Sequence, residues 1–408
     1  MKALLLAAAI VGVSGYSLAQ APPSSPPAEP CRWNTPATRT TVRVRSIDDL
    51  QRALVQAKKS TTILIEPGVY RLDRTVSMRT PDVVLRGATG NPADVVLRGG
   101  GVQERQVGVA VSIDESGVTL ADLTIRDVGF HGIQVRGENG VSRVVIHGVH
   151  IADTGQQLVK GSTDGRRQST DVVVECSTFS YTTEAPSDYT NGVDVLGGTN
   201  WVIRDNRFLR IHGPSAQRFA AGPAILFWAH SIGTIIERNV IIDSFRGIAL
   251  GLRPGGNGRK TADGQPDFDH EGGRIRNNVV INLHSWADEG IELNAATEVV
   301  IDHNTVLTTG NLPWAISLRF PQTKALVRNN LTSRPITTRD GGQGEAAGNV
   351  SGATVDWFVD GTTANLRLAH EDSPAIHAGV RLAEVPDDAA GYPRSAAATA
   401  GAFEYWKH

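Results

Sequence analysis

Val299-Val300-Ile301-Asp302-His303-Asn304 is answered 26 residues later by Ala325-Leu326-Val327-Arg328-Asn329-Asn330, and 26 residues earlier by Gly273-Arg274-Ile275-Arg276-Asn277-Asn278. An apolar triplet, two polar residues and an asparagine therefore recur at a fixed offset, which is the signature of a repeat architecture. Working outward, the same frame fits Thr234-Ile235-Ile236, Trp201-Val202-Ile203, Val172-Val173-Val174 and Val144-Val145-Ile146. The position three residues after each triplet holds Val149, Ser177, Asn206, Asn239, Asn278, Asn304 and Asn330, with successive spacings of 28, 29, 33, 39, 26 and 26 residues. Such a period is one coil of a solenoid, with loops inserted mainly in the fourth and fifth coils. Asparagine repeated at one coil position predicts stacked side-chain amides at a tight bend, bonded to one another and to free backbone groups.

A second strand recurs half a coil later: His131-Gly-Ile-Gln-Val, Asn191-Gly-Val-Asp-Val, Pro223-Ala-Ile-Leu-Phe, Arg246-Gly-Ile-Ala-Leu, Glu289-Gly-Ile-Glu-Leu and Trp314-Ala-Ile-Ser-Leu. Alternation of period two, with no helical crossover between strands, predicts an all-β parallel β-helix with two strands per coil. Ile133/Val135, Val193/Val195, Ile225/Phe227, Ile248/Leu250, Ile291/Leu293 and Ile316/Leu318 then face inward, and their alternates face out. Ser46 with Asp49 opens a short amphipathic helix, within residues 46–59, that would cover the first coil.

The 408 residues include 43 Gly and only 6% aromatics, a composition that suits a Gly-rich β protein. A formal charge of −2 provides no global field for nucleic acid or an anionic membrane, so an anionic partner needs a local basic site. Lys2, the apolar run Ala3–Val13 and Ser17-Leu18-Ala19 have the pattern of a secretory leader ending at residue 19. Residues 20–41 read as a Pro/Ser-rich tether and residues 42–408 as one β-helix domain, closed by a segment from about residue 360. No later apolar run approaches the roughly 18 residues that span a bilayer, so a secreted or periplasmic monomer is expected. Cys31 and Cys176 are the only cysteines; a disulfide and two free thiols both fit the sequence.

Ile65-Glu-Pro-Gly-Val-Tyr70, the repeated asparagine, Asp269-His-Glu-Gly-Gly-Arg-Ile-Arg-Asn-Asn278, Arg246-Gly-Ile, Ala375-Ile-His-Ala-Gly379 and Gly401-Ala-Phe-Glu-Tyr405 resemble the bacterial right-handed parallel β-helix repeat proteins of the pectate-lyase-like superfamily. The likeness runs from about Val42 to Tyr405. It implies the right-handed fold, whereas the chemistry stays open, because that superfamily holds lyases, hydrolases, epimerases and non-catalytic adhesins.

Outward residues of the second strand set form a stripe: His131, Gln134 and Arg136; Lys160; Asn191 and Asp194; Leu226, Trp228 and nearby His230; Arg246; Glu289, Glu292 and Asn294; Trp314, Ser317 and Arg319. Read blandly, these are surface residues in cross-strand ion pairs, Arg246 with Glu289 or Glu292 and Glu292 with Arg319. Read chemically, they suit an acidic polysaccharide. Uronate β-elimination needs a base for the C5 proton, a cation or donor for the carboxylate-enolate, and an acid for the leaving oxygen. Coils stack about 4.8 Å apart, so only neighbouring coils share one sugar. His131, Lys160, Asn191 and Asp194 make one such group, with Lys160 as base, His131 as acid or shuttle, and Asn191 with Asp194 as a carboxylate clamp. A Ca2+ ion on Asp194 is one form of that clamp; otherwise no cofactor signature is found. Arg246, Glu289, Glu292 and Arg319 make a second group that would grip uronates, Trp228 offers a stacking face, His230 stands beside it, and Tyr189 is a nearby acid. The loop Asp263-Gly-Gln-Pro-Asp267-Phe-Asp269-His270 also has acidic spacing that hints at Ca2+, without the closing Glu of an EF-hand loop. The favoured expectation is a polysaccharide lyase. A non-catalytic glycan-binding or cell-envelope protein is the alternative, and a polygalacturonase-like hydrolase the weaker one, since its Asn-Thr-Asp and Gly-His-Gly signatures are missing.

Overall fold

A computed structural model describes residue 31, residues 33–252 and residues 268–406. The leader, most of the tether and the Asp263–Asp267 part of the acidic loop lie outside the described residues; of the rest of that loop, Asp269 accepts from the backbone N–H groups of Ala229 at 2.9 Å and Leu252 at 2.7 Å. The rest winds into an all-β right-handed parallel β-helix, in which nearly every strand hydrogen-bonds in parallel to its counterpart one coil before and after.

Each coil carries three strands, where the sequence pattern suggested two. Among the described residues, sheet 1 has 12 strands, from Thr40–Val44 to Gln343–Ala347, sheet 2 has 11, from Gly68–Arg71 to Val350–Ser351, and sheet 3 has 10, from Val76–Met78 to Ile336–Arg339. The triplets of the repeat lie in sheet 1 and the Gly-Ile segments in sheet 3. Sheet 2 was hidden because its strands, such as Thr178–Ser180 and Arg207–Leu209, follow the asparagine position after a tight corner and are too short to show alternation. The corner needs left-handed backbone, supplied by Asp205, Arg238, Asn277, His303 and Asn329, all with φ between 53° and 57°.

The residues predicted to face inward do so: Ile133, Val135, Ile225, Phe227, Ile291 and Leu293 are all fully buried in one continuous core. Each such side chain contributes roughly 1.5–3 kcal/mol through burial. Beside that apolar column, Asn206 Nδ2 donates to Asn239 Oδ1 at 3.0 Å, Asn239 to Asn278 at 3.0 Å, Asn278 to Asn304 at 2.9 Å, Asn304 to Asn330 at 3.0 Å and Asn330 to Asn349 at 2.9 Å. Each amide oxygen also accepts the backbone N–H of the asparagine one coil earlier, so buried polar groups at the corner are satisfied internally.

Helix α1 (Ile47–Gln56) covers the first coil with Leu50 and Leu54, and Ser46 Oγ caps it by accepting from the Asp49 amide at 3.1 Å. The first strand, Thr40–Val44, takes in the last two residues of the expected tether. Upstream, Cys31 is disulfide-bonded to Cys176, with Cα atoms 5.5 Å apart, and Trp33 stacks on His147 at 4.6 Å. At the other end the chain doubles back as a strap over the outer face of sheet 2. There Phe358, Leu366, Ala400 and Ala402 pack on Val279, Ile281, Leu307 and Leu331. Polar ties fasten it: Arg394 Nη2 donates to Asn277 Oδ1 at 2.8 Å, Gly401 N to Asn329 O at 2.7 Å and Ala402 N to Thr305 Oγ1 at 2.8 Å. No helix among the described residues is long and apolar enough to cross a membrane.

Candidate functional site

Strand register fixes which outward side chains of sheet 3 are neighbours. Gln134 pairs with Lys160, Lys160 with Asp194, Asp194 with Leu226, Leu226 with Ala249, Ala249 with Glu292 and Glu292 with Ser317. One straight column thus runs up the solenoid, polar at both ends and apolar at Leu226 and Ala249.

At the lower end, Lys160 Nζ donates to Asp194 Oδ2 at 2.6 Å and lies 3.5 Å from the Tyr189 hydroxyl. The other carboxylate oxygen, Asp194 Oδ1, accepts from Trp228 Nε1 at 2.9 Å. Asp194 is therefore clasped from the coils on either side of it. Tyr189 comes from the loop joining Thr178–Ser180 to Val193–Leu196 and is 50% exposed, whereas Lys160 and Asp194 are 8% and 1% exposed. A buried pair of this kind holds its geometry firmly, because separating the charges would strand each in a dry setting.

Two expected members do not join. Asn191 is buried and spent on structure: its amide donates to Pro223 O at 2.8 Å and accepts from Gln157 at 3.4 Å, so it is not free to clamp a carboxylate. His131 begins the neighbouring strand, but burial first and the Lys160 charge second push its imidazole down to about 4. It is uncharged near neutral pH and keeps only the weakly acidic N–H of a neutral ring, which does not favour it as the acid. His230 sits just past the Trp228 strand at φ 69°, its N–H donating to Asp269 O at 3.0 Å. The Ca2+ expectation at Asp194 does not fit, since both carboxylate oxygens are engaged and Ca2+ calls for six to eight oxygens. Among the described residues no three His, Cys, Asp or Glu side chains converge on a metal position.

At the upper end the second expected group is assembled, and it is larger than the sequence suggested. Glu292 pairs with Arg319 at 3.2 Å, Arg339 at 3.4 Å and Arg246 at 3.5 Å. Arg246 also binds Asp288, and Arg339 reaches Glu289 at 3.2 Å while lying 4.7 Å over the Trp314 ring. Burial, then the nearby Glu292 and Asp288 charges, push the Glu289 carboxyl up to about 8. Asp288 and Arg339 were missed. Asp288 precedes the strand, and Arg339 ends Ile336–Arg339, whose polar sequence lacks the Gly-Ile pattern. The register itself was the available signal, because Arg339 pairs with Arg319.

No protein-family model matches the chain, and no curated protein matches it in sequence. Solved structures do. The pectate lyase Pel9A shares 14% identity over 90% of this chain and 96% of its own, with a TM-score of 0.63. An alginate lyase from Paenibacillus sp. str. FPU-7 shares 17% identity over 76% and 99%, with a TM-score of 0.54. XylC, solved in complex with xylose, shares 10% identity over 76% and 75%, with a TM-score of 0.55. The fold is thus that of the pectate-lyase-like β-helices.

Proposed function

We propose that this chain is an exported polysaccharide lyase that cleaves a uronate-containing glycan by β-elimination at the Lys160 end of the sheet 3 column. The observation that carries the reading is the placement of Lys160 Nζ between the Asp194 carboxylate, at 2.6 Å, and the Tyr189 hydroxyl, at 3.5 Å. Lys160 first passes its ammonium proton to solvent, a step its pairing with Asp194 opposes; the amine then takes the C5 proton of a uronate, and the electron pair moves into the carboxylate-enolate. Collapse of that enolate forms the C4–C5 double bond and breaks the C4–O bond, whose oxygen takes the Tyr189 proton. The new ammonium is held by Asp194 and returns a proton to Tyr189, which resets both groups. Base and acid stand on one side of the sugar, so the elimination is syn. Trp228 keeps Asp194 in place. The lyase names of two structural neighbours support the same reaction class.

The test is growth of near-ultraviolet absorbance from an unsaturated uronate when purified protein meets pectate, alginates, glucuronan and glycosaminoglycans. Lys160→Arg keeps a cation on Asp194 but cannot act as a base, so the signal should vanish while the fold remains. A second reading, glycan binding without turnover, is favoured by the deep burial of Lys160 and Asp194; it predicts retention on a glycan column and no absorbance change with any substrate.

A further inference from the structure

Lys160 is covered as well as paired. Its Nζ lies 5.7 Å from the centre of the Tyr189 ring, and that ring is half exposed where Lys160 is nearly buried, so Tyr189 is the outer of the two. A substrate that is to reach the amine therefore needs Tyr189 to move aside.

The loop that carries Tyr189 is lightly fastened. Beyond the adjacent Thr190, residues 184–189 are hydrogen-bonded to the rest of the described chain at two points. Tyr189 accepts from Lys160 at 3.5 Å, and Glu184 Oε1 accepts from Ser215, from its N–H at 2.6 Å and its hydroxyl at 3.0 Å. Ser215 belongs to a second loop, residues 213–222, which enters the Pro223–Trp228 strand. This loop closes on itself: Gly213 N donates to Phe219 O at 3.1 Å, and Gln217 N and Phe219 N donate to Pro214 O at 2.9 and 3.2 Å. Arg218 and Phe219 are both left-handed, with φ of 57° and 62°, a conformation that a bulky side chain avoids unless its surroundings hold it. What holds Phe219 is Trp286, two coils further on, stacked on it at 4.9 Å and 18°. The coil between has only the short turn Asp243–Phe245, so the loop bridges an open gap. A cleft of about 340 Å³ between Thr182, Glu184, Arg210 and Phe219 lies where the two loops meet, in place of a packed core.

We infer that residues 184–189 and 213–222 form one lid over Lys160, latched by Ser215 on Glu184 and by Phe219 on Trp286, which lifts to admit a substrate and on closing returns Tyr189 to the amine. Segments with few ties outside themselves are the ones that open locally, and lids of this kind gate many active sites. The burial of Lys160 then belongs to the closed state and does not bar turnover. What enters rests on the lyase reading; the opening itself does not.

The experiment is amine labelling of the protein with trinitrobenzenesulfonate, read by mass spectrometry, with the exposed Lys324 as internal standard. Lys160 should react about a hundredfold more slowly than Lys324 in the natural protein. Phe219→Ala and Glu184→Ala, neither of them bonded to Lys160 or Asp194, should each speed Lys160 by roughly tenfold, with Lys324 and the circular dichroism unchanged. Equal labelling of Lys160 and Lys324 in the natural protein, or a Lys160 rate that neither change alters, would overturn the lid. The lyase reading fails separately: if both changes speed labelling but no glycan gives an unsaturated product, the lid stands and the elimination does not.

Discussion

Trp228 Nε1 and Lys160 Nζ grip opposite oxygens of a single carboxylate, at 2.9 and 2.6 Å, although they belong to strands on either side of it. Asp194 has no freedom to rotate, and the lysine it holds has one defined position relative to sheet 3. Trp228→Phe should keep the ring and lose only the N–H. A hydrogen bond to a charged group contributes roughly 1.5–3 kcal/mol, so the elimination rate should fall about tenfold to a hundredfold. Initial rates on the preferred glycan would show it, and an unaltered rate would mean that the tryptophan acts only as a lid.

Lys160→Ala should destabilise the fold as well as silence it. It leaves a nearly buried Asp194 charge without its cation, which costs about 3–5 kcal/mol. Lys160→Ala combined with Asp194→Asn should recover most of that stability in urea unfolding and none of the activity.

Stability should peak near pH 6.5. Burial pushes His131 down to about 4 and both His270 and His303 down to about 3, so these rings stay neutral when folded but charge below 6.5 when unfolded. Their contribution is lost as the pH falls below 6.5. Glu289 has the opposite sign: its carboxyl is raised from 4.5 to about 8, so the unfolded chain gives up that proton first and stability declines as the pH rises between those values. Below 6.5 these histidines, joined by His150, which burial also lowers, outweigh the glutamate; above it Glu289, whose carboxyl is raised furthest, dominates. Urea midpoints between pH 6.5 and 8 should fall for the natural protein and stay level for Glu289→Gln.

Removing one corner amide should be felt across two coils. Asn278 accepts from the N–H and Nδ2 of Asn239 and donates to Asn304 and to Ile236 O, so Asn278→Ala strands several buried groups. A loss of about 3 kcal/mol or more is expected in the urea midpoint. A change below 1 kcal/mol would show that water replaces the amide.

Reduction of the Cys31–Cys176 bond opens a link spanning 145 residues, for which a loss of roughly 2–4 kcal/mol is typical. The arm should then detach, changing Trp33 fluorescence as that ring leaves His147, while far-ultraviolet circular dichroism holds.

The solenoid was legible because its two periods are enforced everywhere: inward aliphatics alternate along each strand, and asparagine returns once per coil. Sheet 2 was not, because a strand such as Arg207–Leu209 has too few residues to alternate and its corner is built from left-handed Asp205, an identity that carries little warning. The column of outward residues was legible for the same periodic reason. The fate of each member was not. Asn191 and Asp194 look equally suitable in the sequence, but only Asp194 lies in the outer column; Asn191 sits at the strand entrance, where it donates to the Pro223 carbonyl. Arg339 went unnoticed because a cation at the end of a polar strand means nothing until the coil beneath it is known.

The strap that returns over sheet 2 has a mechanical meaning. A solenoid whose coils touch only their neighbours would peel from a free end one coil at a time under tension. Here Arg394, Gly401 and Ala402 are tied to Asn277, Asn329 and Thr305, so a pull on the carboxyl end loads three coils at once, in shear across the sheet. Single-molecule extension from that end should meet one high rupture force before any stepwise unwinding, and a chain cut before the strap should unwind in small even steps from the start.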